Sequence, residues 1–217
     1  EIIGKVHDIG NNLGLPANAL RATLEDLEED LEEETGVEIR LPLDEKGADV
    51  LLVTPSADFF AEPHVDGLLG YAKVFHQAGT SWTLSTHASE AANFAIFTGS
   101  YDQMKQIAER IRKAAEDLGV KRIVVGECGH AWRVAYNFWN TLIGPFDFLD
   151  QNYPIPQHIC EFTHDLIRQD KLTLDPSKND HMTLTFHDSC NVARASRMGE
   201  DPGGQFTYPR EIIKAVC

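Results

Sequence analysis

The run Asp49-Val50-Leu51-Leu52-Val53-Thr54-Pro55 constrains the fold more than any other segment of the chain. Four consecutive aliphatic side chains in an extended strand point alternately to its two sides, so both sides must be covered. That is the situation of a strand inside a parallel sheet with helices on both faces. The surrounding pattern agrees. Helical stretches are expected over about 65–78, 88–97 and 101–118, and short strands over about 82–85 and 122–126, with Gly119 stopping the last of these helices. Strands alternating with helices predict an α/β chain whose sheet is mostly parallel.

Upstream, Leu20, Leu24, Leu27 and Leu31 form the apolar stripe of an amphipathic helix, begun near Pro16 and Asn18 and ended at Thr35-Gly36. Its other face carries Glu25, Asp26, Glu28, Glu29, Asp30, Glu32, Glu33 and Glu34. Such a row is read first as a solvated face, with docking to a basic partner as the alternative. Downstream the pattern is less regular. It runs through Trp132 to Trp139, the turn-rich GPFDFLDQNYPIP, a helix over about 158–169, a strand Met182-Thr183-Leu184-Thr185-Phe186 and a helix over about 209–216. The expected division is an N-terminal helical segment 1–48, a first lobe 49–150 and the start of a second lobe 151–217, with the boundary near 144–156.

Asp and Glu number 34 against 19 Lys and Arg, an imbalance that repels phosphate backbones and anionic lipid, so nucleic acid is not an expected partner. No apolar run reaches bilayer-spanning length, and the opening EIIGKVHDIGNNLGL lacks the pattern of a signal peptide; no direct membrane insertion is expected. Cys128, Cys160, Cys190 and Cys217 lie far apart, which argues for free thiols in a reducing compartment, the cytoplasm. The chain lacks an initiator methionine and stops at Cys217, so both ends read as cuts.

Two strand exits repeat one another. Val53-Thr54-Pro55-Ser56-Ala57-Asp58 lies over Phe186-His187-Asp188-Ser189-Cys190-Asn191, with cysteine in the second copy where the first has alanine. At the carboxyl end of a parallel strand a side chain faces the crevice where α/β proteins hold ligands. Cys190 is expected there, flanked by His187, Arg194 and Arg197, which lower a thiol pKa or bind an anion. A thiolate so placed is a nucleophile or a metal ligand; a buried inert cysteine is the competing reading.

The segment HDSCNVAR resembles a motif of the cysteine-rich, or CCG, domain of heterodisulfide reductases and related iron–sulfur subunits. GECGHAW and Ile9-Gly10-Asn11-Asn12-Leu13-Gly14 narrow the resemblance to the heterodisulfide-reductase-like subunits of membrane complexes associated with dissimilatory sulfite reduction. The similarity covers essentially the whole chain, and GECGHA is its stronger marker. It implies two Rossmann-like lobes related by internal duplication. Each complete family motif supplies a single cysteine, then an adjacent pair before glycine, then CxxC. Together these hold a non-cubane [4Fe-4S] cluster at which a disulfide or trisulfide is reduced.

Carried over, Cys190 matches the single cysteine of the second motif and is the expected cluster and metal ligand, with the pair and CxxC expected beyond Cys217. In the first motif Ala57 stands at the single position, Ala91-Ala92-Asn93 near the pair, and Cys128-Gly129-His130-Ala131 at a CxxC that has lost its second cysteine. A first-lobe cluster with the full family ligand set is thereby excluded, and a chain that ends at Cys217 need not hold a cluster at all. Three roles stand open for Cys128: an unligated residue of the crevice wall, an additional ligand to the second-lobe cluster, or a thiol that receives substrate sulfur. Cys160 reads as a core residue and Cys217 as structural. Zinc on Cys128, His130, His187 and Cys190 is chemically reasonable but lacks compact ligand spacing. His130 and His187 are expected to donate protons or hydrogen bonds beside reduced sulfur, or to satisfy backbone groups.

The resemblance implies an oxidoreductase subunit that moves electrons to or from a sulfur–sulfur bond in sulfur metabolism. Its implied partners are membrane-complex subunits and a small sulfur-carrier protein, with the chain held peripherally at the cytoplasmic membrane. Two alternatives remain: the iron–sulfur subunit of a glycolate oxidase or glycerol-3-phosphate dehydrogenase type complex, against which GECGHA argues, and a non-catalytic acidic docking module.

Overall fold

The computed structural model describes residues 1–196 and 206–217. Four strands, β1 (Val50–Val53), β2 (Trp82–Thr83), β3 (Arg122–Val125) and β4 (Gln157–His158), form one all-parallel sheet in the order β2-β1-β3-β4. The register sets Val50 beside both Trp82 and Arg122, Val53 beside Val125, and Val125 beside His158. The α/β class expected from the alternating pattern is what the chain adopts.

The helices are α1 (Ile2–Ile9), α2 (Ala17–Thr35), α3 (His64–Ala78), α4 (Ala95–Thr98), α5 (Tyr101–Leu118), α6 (Gly129–Val134), α7 (Asn140–Ile143), α8 (Ile159–Arg168) and α9 (Thr207–Val216). Strand alternation sorts them into two layers. Leu51, Val53, Ile123 and Val125 point to one side, where they meet Ile107, Ile111 and Ala115 of α5 and Trp132 of α6. Val50, Leu52 and Val124 point to the other side, against the α2 leucines, Leu68 and Phe75 of α3 and Phe162 of α8. Full burial of each such side chain contributes roughly 1.5–3 kcal/mol, which is why the four-residue aliphatic run commits the chain to this arrangement.

Local signals explain the long helices. In α5 the Ser100 hydroxyl accepts from Gln103 N–H at 3.4 Å, and Gly119 closes the helix at φ 68°. In α2 the four leucines are buried and most of the acidic face is solvated, as read from sequence. Glu28 departs from that row: its carboxylate accepts the Leu41 N–H at 2.5 Å and pairs with Arg40 at 3.3 Å.

Two segments differ from expectation. The helix expected over 88–97 contracts to α4, because Ala88 to Asn93 instead run as a buried loop across the strand ends. There Glu90 accepts the Ala92 N–H at 2.7 Å, and the Asn93 amide donates to the Met104 carbonyl at 3.0 Å. The strand expected at Met182 to Phe186 does not form. Its alternating residues are exposed on both sides, and among the described residues no strand lies beside it to pair its backbone. β4 and α8, which follow residues 144–156, complete the sheet and its cover.

Candidate functional site

Two chain crossings build a crevice at the carboxyl end of the sheet. After β1, Thr54-Pro55 lead into a 3-10 turn, Ser56–Phe59. After β3, Gly126, Glu127 and Cys128 lead into α6. The loop from Ala88 to Phe94 closes a third side. Pro55, Ala57, His64, Ala92, Asn93, Phe94, Phe97, Glu127, Cys128, Gly129 and His130 line a cavity of about 320 Å³. Ala57, Ala92 and Cys128, which the resemblance sets at or near the cysteine positions of the first motif, therefore line the same crevice.

Cys128 is the N-cap of α6, and its sulfur accepts from Ala131 N–H at 3.5 Å. Burial nevertheless pushes its thiol above the ordinary value, outweighing the Ala131 and His130 N–H groups that favour the thiolate. It is thus a protonated thiol at neutral pH. His130, two residues along, packs edge-on against Phe97 with centroids 5.1 Å apart.

Cys190 is exposed and opens a π-helical turn, Cys190–Arg194, that docks on the start of α6. The Asn191 amide lies 3.3 Å from His130 Nδ1. A methyl group on Gly129 would stand 2.9 Å from Asn191 Cβ and 3.5 Å from Ser189 Oγ, so only glycine permits this approach. The two motif remnants, GECGHA and HDSC, are thereby brought side by side, but Cys190 is not among the residues lining the crevice. His187 is likewise exposed on the extended segment before it. Arg194 lies with its guanidinium 5.4 Å from the Phe206 ring centroid. Arg197, the other cation expected near Cys190, falls outside the described residues.

All four cysteines are free thiols. Cys160, on α8, packs against both hydrophobic layers, and burial pushes its thiol up to about 11. Cys217 is exposed at the end of α9. The zinc constellation of Cys128, His130, His187 and Cys190 does not converge: among the described residues the only set of three clustered donors is Asp58, His64 and Glu127. Nor do these residues fit a thiolate-held cluster by themselves. The crevice offers one protonated thiol among alanines and aromatic rings, and Cys190 stands in solvent.

Carboxylates are what the motif reasoning missed. Asp58 is fully buried, accepts a hydrogen bond from the Thr54 hydroxyl, and is pushed up to about 6, chiefly by burial. Its second oxygen, Oδ1, has no hydrogen-bond partner. Glu90, also buried, is pushed up to about 7 by burial; the Ser56 hydroxyl donates to it at 2.7 Å. The charge of Asp58 adds to the rise at Glu90, and that of Glu127 to the rise at Asp58. His64 Nδ1 stands 3.7 Å from Asp58 and 3.4 Å from Glu127. Behind them the Tyr71 hydroxyl accepts the Glu127 N–H at 3.1 Å, and buried His158 is held neutral, its pKa lowered to about 4 by burial. The only sequence signal was position: Asp58 and Glu127 each follow a strand exit within a few residues.

Comparison with known proteins agrees with the resemblance carried by GECGHA and HDSC. The chain is 38% identical, over 89% of its length, to the Hdr-like menaquinol oxidoreductase iron-sulfur subunit of Archaeoglobus profundus, and 36% identical over the same share to iron-sulfur subunit 2 of that type from Archaeoglobus fulgidus. It covers 40% of the length of each. Over 67% of the chain it is 26% identical to a subunit of the dihydromethanophenazine:CoB–CoM heterodisulfide reductase of Methanosarcina mazei, of which it covers 33%. No family model and no solved structure matches it.

Proposed function

This chain is a homologue of the Hdr-like iron–sulfur subunits, and on that footing we propose that it forms part of an oxidoreductase subunit that exchanges electrons with a disulfide or trisulfide at a non-cubane [4Fe-4S] cluster, in dissimilatory sulfur metabolism. Cys190 is the lead cysteine of the ligand set. It acts within the whole protein, since the described residues supply one exposed thiol at this turn where a cluster needs several. The observation that carries the assignment is the docking of the Cys190 turn on α6 through Asn191, His130 and Gly129, at the carboxyl end of the sheet.

The residues around that contact have separable tasks. Cys128, kept protonated by burial, and His130 beside Asn191 are suited to hold or deliver a proton at sulfur. Trp132, buried behind them, keeps water from the inner face of α6. A bound cluster would supply electrons, and these side chains would stabilise the thiols formed when a sulfur–sulfur bond opens. His187 joins them as a proton donor if the segment that carries it folds down on a partner. Two lobes, membrane-complex subunits, a sulfur-carrier protein and a peripheral cytoplasmic position follow as parts of the same proposal. No helix among the described residues is long and apolar enough to cross a membrane.

Cys190→Ala, in the protein purified with its accompanying subunits, should lose the unusual cluster's paramagnetic signal and the corresponding iron and acid-labile sulfide, with ordinary cubane signals intact. Full retention of that signal at unchanged iron content would reject the assignment.

A further inference from the structure

We infer that Asp58, His64 and Glu127 form a binding site for one divalent first-row transition ion on the rim of the crevice, separate from any thiolate-held cluster. Their donor atoms lie within 4.8 Å of one another. Ligands held about 2.1 Å from an ion at tetrahedral angles stand roughly 3.4 Å apart. His64 Nδ1 lies 3.4 Å from Glu127 Oε1 and 3.7 Å from Asp58 Oδ1, so small adjustments of His64 and Glu127, both half-exposed, bring the three onto one ion.

The second observation concerns Asp58 itself. Exposed acidic groups gather on protein surfaces without any ligand, but Asp58 is fully buried, and its Oδ1 is left without a hydrogen-bond partner while aimed at His64 and Glu127. A buried carboxylate oxygen without a hydrogen bond costs the fold free energy unless a cation or a proton meets it. The opposite oxygen is held in place by the Thr54 hydroxyl. Thr54 is fixed in turn by the close passage of Gly126, where a methyl group would come within 2.6 Å of the Thr54 hydroxyl oxygen. Asp58 is therefore oriented from behind as metal-binding carboxylates are, with the free oxygen directed toward the ion.

The donor set defines the ion. One imidazole nitrogen and two carboxylate oxygens suit zinc, ferrous iron or cobalt, and give too few oxygens for calcium. Three protein donors leave one position for an exogenous ligand. His64 and Glu127 also line the crevice, so an ion held by them would sit beside the space that Cys128 lines.

Co²⁺ titration of the full chain tests the site, because cobalt reports its ligands in the visible spectrum. One equivalent should bind with d–d bands and without a thiolate-to-cobalt charge-transfer band. Binding should survive in a variant combining Cys128→Ser with Cys190→Ser, and weaken at least tenfold in His64→Ala and in Glu127→Gln. These last two replace half-exposed side chains, and circular dichroism checks that they fold. Undiminished binding in both, or binding that disappears with the cysteines and carries the thiolate band, would overturn the site. Neither result bears on the cluster assignment, which involves other residues and is read from iron and sulfide content.

Discussion

Glu90 shows how a single buried side chain contributes to the pH response of the molecule, alongside Glu161, which burial also pushes up to about 7. Its carboxyl titrates near 7 in the folded chain, against the ordinary range near 4.5. Between those values the folded form keeps a proton that the unfolded form has released, so stability is fully present below the lower value, falls as pH rises through the window, and is level above about 7. The loss attributable to Glu90 is on the order of 3 kcal/mol. Asp58, near 6, adds a slope of the same sign. Glu90→Gln keeps a carbonyl for the Ala92 N–H and removes the titration. Its urea midpoint should exceed that of the parent at pH 8 and lie within error of it at pH 5. Equal differences at the two pH values would show that Glu90 is not the group responsible.

At the scale of elements the informative contact is that between α6 and the Cys190 turn. Gly129→Ala places a methyl group 2.9 Å from Asn191 Cβ, and the turn has to withdraw. The cost should be about 1–3 kcal/mol at most and confined to that junction. Amide resonances of residues 189–194 should move, while those of β1 and β3 stay in place; unchanged resonances at 189–194 would mean the two segments are not packed together. Elements with strong local signals were legible in the sequence: the aliphatic run of β1, and α5 between Ser100 and Gly119. Ala88 to Asn93 was not, since an alanine-rich stretch reads as helix unless one knows that the Glu90 carboxylate accepts from the Ala92 N–H and from Ser56 beyond the end of β1. Met182 to Phe186 alternates as a strand should, and alternation cannot reveal whether a neighbour exists to pair with it. The crevice was legible through Ala57 and Cys128, which motif spacing marked. The carboxylates at and behind it were not, because Asp58, Glu90 and Glu127 come from three separate segments and share no spacing.

Taken whole, the molecule is a three-layer sandwich whose central strands come from distant parts of the chain. β1 pairs over its full length with β3, whereas β2 meets it at only two positions. A fragment of residues 1–121 keeps α2, α3 and α5 but removes Ile123, Val124 and Val125, which serve both hydrophobic layers. It should show helical circular dichroism without a cooperative thermal transition. A sharp two-state melt would mean that β1 needs no partner from β3.

That separation also orders events during synthesis. The ribosome releases the chain from its amino end, at about 5–20 residues per second. Val50 to Val53 therefore emerges well before Arg122 to Val125, with which it pairs residue for residue. For those seconds a fully aliphatic strand waits with its β3 edge uncovered, joined only as α3, β2 and α5 follow it out of the ribosome. Charge on α2 is then more than surface decoration. Its solvated acidic row would repel the same row on a neighbouring nascent chain during the interval before β3 arrives.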